Sequence, residues 1–415
     1  MSGANTDVGE RAGMDTIGFA RVNWWPSVRP SARRSDRSRV AACGLVIAVS
    51  VAACAERGWD VAEDWAGLPI DDSGGRWQVT RAERVDNSQP PGEHLWLTGI
   101  AGLPSGEAWA AGEGPWSSVL LRWDGERWSY DQGPRRASYT RKSVRVLPEA
   151  GRSECRRWIF GSTWKRVQAW CWNRGRWKST VLSSTGRTGL RDVAVLDGDQ
   201  LLASGEDFLK KWDGRHWRDM PAPSPPDELA VGSAGDIWGL WNDNTIRRRQ
   251  GKYWEPTPVP RLSKETTNEN RPGVGPRKTG PWIHGIAPVT SNSVWAVGNV
   301  QRGYGEKPRY YYSDFVLHWN GRQWQRTTLG LKGIGLTHVT PDGRGGVWVA
   351  TSGRYILHHS AGRWSRVPLP APAGSTLRFE ALANVPGHPD TWAIVEMVSE
   401  RGSRTTRLIL RYRPL

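Results

Sequence analysis

The chain has 415 residues, 57 Lys+Arg against 41 Asp+Glu, a formal net charge of +16, 38% hydrophobic residues and 27 Trp. Its length would hold two or three ordinary domains, no uninterrupted apolar run of about 18 residues is there to build a multi-span membrane protein, and 10% aromatic residues are too many for wholesale disorder. A strict Gly period and a sustained heptad are absent, which excludes collagen and coiled coil, and the 47 Arg and 10 Lys are scattered rather than clustered on one element, which argues for a solvated basic surface or an anionic envelope partner and against nucleic acid.

Residues 31–54 read SARRSDRSRVAACGLVIAVSVAAC. Arg33, Arg34, Arg37 and Arg39 form a positive n-region, and Val40 to Ala53 a short apolar core that suits a secretory leader better than a membrane span. The end of that core, Val51-Ala52-Ala53-Cys54, resembles the bacterial lipobox, with Val where Leu is usual. The resemblance implies cleavage before Cys54 and acylation of its thiol, which would anchor the mature chain to a membrane surface. An ordinary signal peptide or one uncleaved anchor helix is the alternative. Residues 1–30 are long for an n-region, as a start codon placed too early would make them, with Met14 or a later residue as the true start. The expected organisation is a leader, 1–53, a lipidated tether, 54–73, and a repeat domain, 74–415.

Cys43 lies in the leader, so Cys155 and Cys171 are the mature chain's remaining pair. An even pair in an exported protein suggests a disulfide. Both flanks read as strands, CRRWIF and VQAWCW, and a hairpin turning near Thr163 would set the two cysteines opposite each other. No further Cys or His stands near enough to make a zinc site.

A repeat runs through the rest. LLRWDGERW (120–128) recurs as FLKKWDGRHW (208–217), FVLHWNGRQW (315–324) and ILHHSAGRW (356–364), with weaker copies ending at Trp177 and Trp254. Asp124-Gly125, Asp213-Gly214 and Asn320-Gly321 are hairpin signals of the type I′ kind. A second motif precedes each hairpin: EAWAAG (107–112), DIWGLW (236–241), SVWAVG (293–298), GVWVAT (346–351) and DTWAIV (390–395), with degraded copies RWIFG (157–161) and LLASG (201–205). An apolar marker of a preceding strand stands 9 residues before the Trp, or its substitute Leu202, in Ile100, Val193, Leu229, Ile286 and Val339, 12 before it in Val146 and 10 in Leu382. Each unit is thus four short strands over about 40–50 residues, the signature of a propeller blade, in which Trp rings fill the wedge between neighbours.

The second motif occurs seven times, but only six complete hairpins follow it. The last unit stops at RLILRYRPL (407–415), while Gly74-Gly75-Arg76-Trp77-Gln78-Val79-Thr80 copies a fourth strand with no blade before it. The expectation is an all-β, seven-bladed β-propeller closed by the N-terminal strand pairing into the last blade. The repeats resemble those of exported bacterial propellers of the broad WD-repeat-like, YVTN-like and BNR-like supergroup, a resemblance that covers 74–415 and implies a fold without implying a function. Thr340-Pro341-Asp342-Gly343 is the nearest fragment to the Asp box of the sialidase branch, but its Trp comes too late, so no catalytic residue carries over.

Walker A, HExxH, GxSxG and paired-Cys motifs are missing, and no cofactor or metal is expected. His358 and His359 alternate across a strand and cannot chelate one ion together. One position before the markers stand Gly99, Arg145, Asp192, Glu228, Gly285, His338 and Ala381. Arg145, Asp192, Glu228 and His338 are therefore the candidate channel ligand site, weighed against a structural plug of paired charges. Two insertions supply the other candidate. One is 255–281, with Arg261, Lys264, Arg271, Arg277 and Lys278. The other is a loop from Val300 to Ser313 with Arg302, Tyr304, Lys307, Arg309, Tyr310, Tyr311 and Tyr312, a composition suited to partner recognition. The leading expectation is a lipid-anchored binding or scaffold module for an unknown envelope protein or anionic polymer, held as a monomer because ring closure needs no second chain. The alternatives are a glycan-active, sialidase- or lyase-like enzyme, and an assembly factor acting through the Tyr/Arg loop.

Overall fold

Short strands joined by tight turns leave every sheet apolar on both sides, and such a sheet is stable only between two others. A computed structural model describes residues 68–70, 75–85, 95–114, 118–134, 145–147, 155, 157–162, 165–185, 189–197, 200–262, 281–304, 309–327, 329–331, 334–399 and 405–414. The leader, Cys54 and the tether as far as residue 67 lie outside them. The described residues form seven antiparallel four-stranded sheets and no helix.

Blade 1 comprises Trp96–Gly102, Ala108–Glu113, Ser118–Trp123 and Trp128–Asp131, and blade 2 comprises Arg145–Leu147, Arg157–Ser162, Val167–Asn173 and Arg176–Ser183. Blade 3 comprises Leu190–Asp197, Gln200–Gly205, Leu209–Trp212 and Trp217–Asp219, and blade 4 comprises Glu228–Val231, Ile237–Leu240, Ile246–Gln250 and Tyr253–Pro256. Blade 5 comprises Pro281–Thr290, Ser293–Tyr304, Arg309–Trp319 and Trp324–Thr327, and blade 6 comprises Leu336–Pro341, Val347–Thr351, Tyr355–Ser360 and Arg363–Pro368. Blade 7 comprises Ser375–Asn384, Thr391–Ser399 and Thr405–Arg413, and its outermost strand is Arg76–Val85 from the other end of the repeat domain. Each first strand packs beside the first strand of the next blade, and that of blade 7 packs beside that of blade 1. The result is a closed seven-bladed β-propeller.

Closure joins Trp77 to Tyr412 and Ala82 to Leu408 in one antiparallel ladder. The apolar markers are in common register throughout. Ile100, Val146, Val193, Leu229, Ile286, Val339 and Leu382 each pair with the residue that follows the second-strand Trp, or Leu202. The unequal spacings in blades 2 and 7 are therefore longer turns, not slipped strands.

Two local expectations need correction. At Asp124-Gly125, Asp213-Gly214 and Asn320-Gly321 only the glycine has positive φ, at 109°, 97° and 92°. Glycine is the first central residue of a type II′ turn there, and the preceding Asp or Asn side chain accepts hydrogen bonds from the next two amides, as Asp124 Oδ1 does from Glu126 and Arg127, both at 2.9 Å. The two-residue type I′ turns fall instead at Arg174-Gly175, in a weaker copy, and at Ala361-Gly362, where both residues have positive φ. The second correction concerns the disulfide. Cys155 and Cys171 are bonded with a Cα–Cα distance of 5.3 Å, but Cys171 pairs across the hairpin with Trp158. Cys155 sits two residues before that strand, so the bond ties the third strand to the segment leading into the second.

The second-strand Trp of each blade fills the wedge before the next. Trp392 of blade 7 meets Trp123 and Trp128 of blade 1 at 5.8 and 5.6 Å between ring centroids. Trp158 meets Trp212 and Trp217 of blade 3 at 5.0 and 5.8 Å, and Trp238 meets Trp319 and Trp324 of blade 5 at 5.7 and 6.0 Å. Trp295 meets His359 and Trp364 of blade 6, and Trp348 meets Tyr412 and Trp77 of blade 7. Between blades 1 and 2 the Arg157 guanidinium lies over both Trp109 and Trp172, and Leu202 packs on Trp254 of blade 4. Beyond the ring, Ile70 makes a parallel bridge to Arg366 on the outer strand of blade 6, and the Arg366 amide donates to the Pro69 carbonyl at 2.9 Å.

Trp77 belongs to the strand that shuts the ring and is 5% exposed. Trp77→Ala removes both the wedge against Trp348 and the pairing with Tyr412, so chemical denaturation should show a loss of about 3–5 kcal/mol. The outer blade 4 substitution Tyr253→Ala, at 64% exposure, should stay within about 0.5 kcal/mol of the parent.

Candidate functional site

Antiparallel order puts the turns between first and second strands, and between third and fourth, on one rim, here called lower. The loops between second and third strands and the blade-to-blade connections occupy the upper rim. On the inner strands an extra residue is squeezed in below the upper rim. The register skips Thr98, Arg191, His284, Thr337 and Glu380 in blades 1, 3, 5, 6 and 7. These β-bulges were invisible in the alternation, because a bulge adds one residue without changing the type of those around it.

Asp192 and His338 sit immediately after bulges, and Arg145 and Glu228 take the same place before the apolar marker in blades 2 and 4. The Asp192 carboxylate accepts from the backbone N–H of Leu229 in blade 4 at 2.8 Å, and the Glu228 carboxylate accepts from the N–H of Ile286 in blade 5 at 3.0 Å. Each holds the open edge of the following blade's inner strand, an amide that would otherwise lack a partner. At Gly285 the same place is taken by contact, since a Cβ there would lie 3.3 Å from Val339 of blade 6. His338 Nδ1 is 3.1 Å from Thr337 Oγ1, and the backbone of Arg145 pairs with Phe160. Asp192 and Glu228 thus stitch one blade to the next. Among the described residues no group of His, Cys, Asp and Glu is arranged to hold a metal ion.

The bulged residues make their own polar links. Arg191 pairs with Asp227 at 3.0 Å, and His284 Nε2 lies 2.8 Å from the Asn299 amide. Arg378 of blade 7 bridges Glu380 at 2.6 Å and Glu396 at 2.8 Å. The buried Arg407 guanidinium beside them lies 4.4 Å over the Trp96 ring of blade 1. Burial pushes the Glu380 carboxyl up and the Arg407 guanidinium down. This network seals the joint between the last blade and the first.

Both insertions rise from the upper rim, at blades 4 and 5. The first leaves the outer strand of blade 4 by running down onto blade 5: the Thr257 hydroxyl accepts from Trp324 Nε1 at 3.0 Å, and the Leu262 carbonyl accepts from Arg326 at 2.8 Å. Arg261 is exposed there, while Lys264, Arg271, Arg277 and Lys278 lie outside the described residues. The second insertion is not the loop expected from its composition. It prolongs the blade 5 hairpin, with Val300↔Ser313, Arg302↔Tyr311, Gly303↔Tyr310 and Tyr304↔Arg309 in continuous register. Repeated Tyr favours an extended strand, and only residues 305–308, with Lys307, lie outside the described part. At its foot, Trp282 is 48% exposed. It follows the first insertion directly and falls outside the positions the repeat assigns to Trp, which is the signal that marks it.

Below the hairpin lies Asp314, 5% exposed. One carboxylate oxygen accepts from the Leu336 amide of blade 6 at 3.3 Å, and the other, buried, has no hydrogen-bond partner. Burial pushes its pKa up to about 7.

No family and no curated protein matches the chain by sequence. By structure it is similar to YCF48 bound to a D1 peptide, with 13% identity and a TM-score of 0.51 over 84% of this chain and 99% of that one. It is similar also to YCF48 from Cyanidioschyzon merolae, with 14% identity and a TM-score of 0.51 over 80% of this chain and 99% of that one. At such identities the likeness shows the propeller fold alone.

Asp314 has a pH signature. Its folded pKa, about 7, stands above the ordinary carboxylate value of 3.8, so the native state holds the proton more tightly. Stability contributed by Asp314 must then fall as pH rises from about 4 to 7 and level off above. Asp314→Asn removes that penalty. Thermal melts should show the variant more stable than the parent at pH 8, by up to about 4 kcal/mol, and equal to it near pH 4.

Proposed function

We propose that this chain is an exported binding or scaffold propeller, anchored to a membrane through acyl chains on Cys54, that presents the upper rim of blades 4 and 5 to an envelope protein or an anionic polymer. The observation that carries this reading is the coincidence of departures from the repeat. Among the described residues, the root of the first insertion, the prolonged Tyr/Arg hairpin that forms the second, and the exposed Trp282 gather on the same rim of adjacent blades, while the remaining repeats are spent on packing. An exposed Trp in a chain of net charge +16 suits a polar, electronegative partner. The Cys155–Cys171 bond supports an oxidising compartment, and the leader ending in Cys54 supports lipidation. Binding is preferred to glycan chemistry because Asp192 and Glu228, the acids the channel offers, are each committed to a backbone amide of the next blade.

The test is capture from envelope extracts with the full chain. Wild type should enrich a specific protein or wall polymer, and both Trp282→Ala and deletion of 302–312 should lose it with the melting temperature kept. Equal recovery by the deletion variant and the wild type would remove the upper rim of blades 4 and 5 from consideration. Cys54→Ser should move the chain from the membrane to the soluble fraction.

A further inference from the structure

The prolonged hairpin of blade 5 outruns both of its neighbours. The first strand of the blade last pairs with it at Pro281↔Val300, and the fourth at Val316↔Thr327, yet the hairpin continues to Tyr304↔Arg309. From Arg309 to Ser313 the third strand therefore has no strand on the side the fourth would occupy, among the described residues.

The direction of its backbone groups follows from the turn. The Asn320 amide donates to the Gln323 carbonyl at 3.2 Å, so Asn320 aims its peptide groups at the fourth strand. With a period of two the same holds for His318, Val316, Asp314, Tyr312 and Tyr310. Tyr310 and Tyr312 thus offer N–H and C=O to the open side.

Most other outer edges are blunted, and the long one of blade 2, Arg176–Ser183, carries Arg176 and Lys178. The fourth strands of blades 1, 3, 4 and 5 have four residues or fewer, those of blades 4 and 6 end in Pro256 and Pro368, and that of blade 7 carries Arg81, Glu83 and Arg84. The Arg309–Ser313 edge has none of these devices within its Tyr run. An outer edge also takes a single parallel bridge within this molecule, where Ile70 meets Arg366.

Building on the binding role proposed above, we infer that this edge takes up an extended acidic segment of a partner protein as an added strand of blade 5. Main-chain hydrogen bonds to Tyr310 and Tyr312 supply the affinity. Charge selects the partner: residues 300–313 contain Arg302, Lys307 and Arg309 against Glu306, within a chain of net charge +16. A second copy would bring the same basic hairpin to the contact, so pairing between copies is opposed.

The probe is a peptide of about ten residues alternating Glu and Val, added to the full chain. Amide hydrogen exchange should slow at Tyr310 and Tyr312, and added salt should weaken binding. The same peptide N-methylated on alternate amides should not bind, and a Lys-for-Glu version should bind at least about tenfold more weakly. Tyr312→Pro removes one outward N–H at an edge position that tolerates Pro. It should weaken the Glu-Val peptide about tenfold with an unchanged melting temperature. Equal binding of the N-methylated peptide, equal binding by a folded Tyr312→Pro variant, unprotected 310 and 312 amides, or self-association in place of peptide binding overturns the proposal. If the chain captures its envelope partner and Tyr312→Pro leaves that capture intact, the edge is wrong and the binding role stands. If Glu-Val binds at the edge while envelope capture yields nothing, the edge stands and the envelope role fails.

Discussion

One contact recurs around the ring and sets the geometry of everything else: an aromatic ring on the second strand of one blade resting against a cross-strand pair in the next. The pairs are Trp123↔Trp128, Trp172↔Trp177, Trp212↔Trp217, Arg249↔Trp254, Trp319↔Trp324, His359↔Trp364 and Tyr412↔Trp77. A buried Trp removes about 150–250 Å² from water, which at about 25 cal/mol per Å² is at most roughly 4–6 kcal/mol for each wedge. Six Trp wedges and the Leu202 contact, set in a circle, explain why the chain spends so many Trp on this fold. They also explain why the seventh blade borrows its outer strand from the chain's beginning. Without Trp77 and Arg76–Val85, the ring of Trp348 would keep Tyr412 but lose the outer half of its wedge partner.

The wedge Trp is held flat by a second device. Opposite it on the third strand stands Arg122, Arg248, His318, His358 or Arg411. Each of these side chains lies over its Trp: His358 stacks at 3.9 Å, His318 at 4.1 Å and Arg411 at 5.0 Å. Each is tied in turn to the turn before the second strand, by Glu107, Asp236, Ser293, Asp342 or Asp390. Cys171 occupies this third-strand place in blade 2, opposite Trp158, and Cys155 lies just before the second strand. The disulfide therefore stands where other blades use an ion pair or hydrogen bond. A covalent tie does what the polar tie does, and it requires no charge to be desolvated beside the ring.

Much of this was readable from the residues, because blade packing demands a fixed residue type at a fixed place. The Trp of the second motif, the apolar marker nine residues earlier and the orphan strand around Trp77 were enough to number the blades and close the ring. What escaped was set by geometry that residue type does not encode. The II′ turns at Gly125, Gly214 and Gly321 depend on which residue takes positive φ, and Asp-Gly is compatible with either frame. The inner-strand bulges at Thr98, Arg191, His284, Thr337 and Glu380 shift every residue above them by one. The acids Asp192 and Glu228 read as channel groups because their hydrogen-bond donors, the Leu229 and Ile286 amides, belong to the next blade. The segment from Val300 to Ser313 read as a loop because it carries no second apolar face, yet a hairpin that projects beyond its sheet has no such face to show.

That last point bears on where a partner can engage the molecule. In a ring whose blades are interchangeable in packing, residues that keep the repeat are already used: the Trp rings by the wedge, their cations by the clamp, the inner acids by the stitch. Recognition has to come from residues the repeat does not call for. In this chain those gather at blade 5, where Trp282 stands exposed, the hairpin outgrows its neighbours and Asp314 leaves one buried oxygen unpaired beneath it. A carboxylate so placed costs stability that a closed-up propeller could have kept by placing Asn or an apolar residue there. Through the Leu336 amide it holds, Asp314 puts a titratable group in the blade 5–blade 6 joint, directly below the strand pair that reaches beyond its sheet.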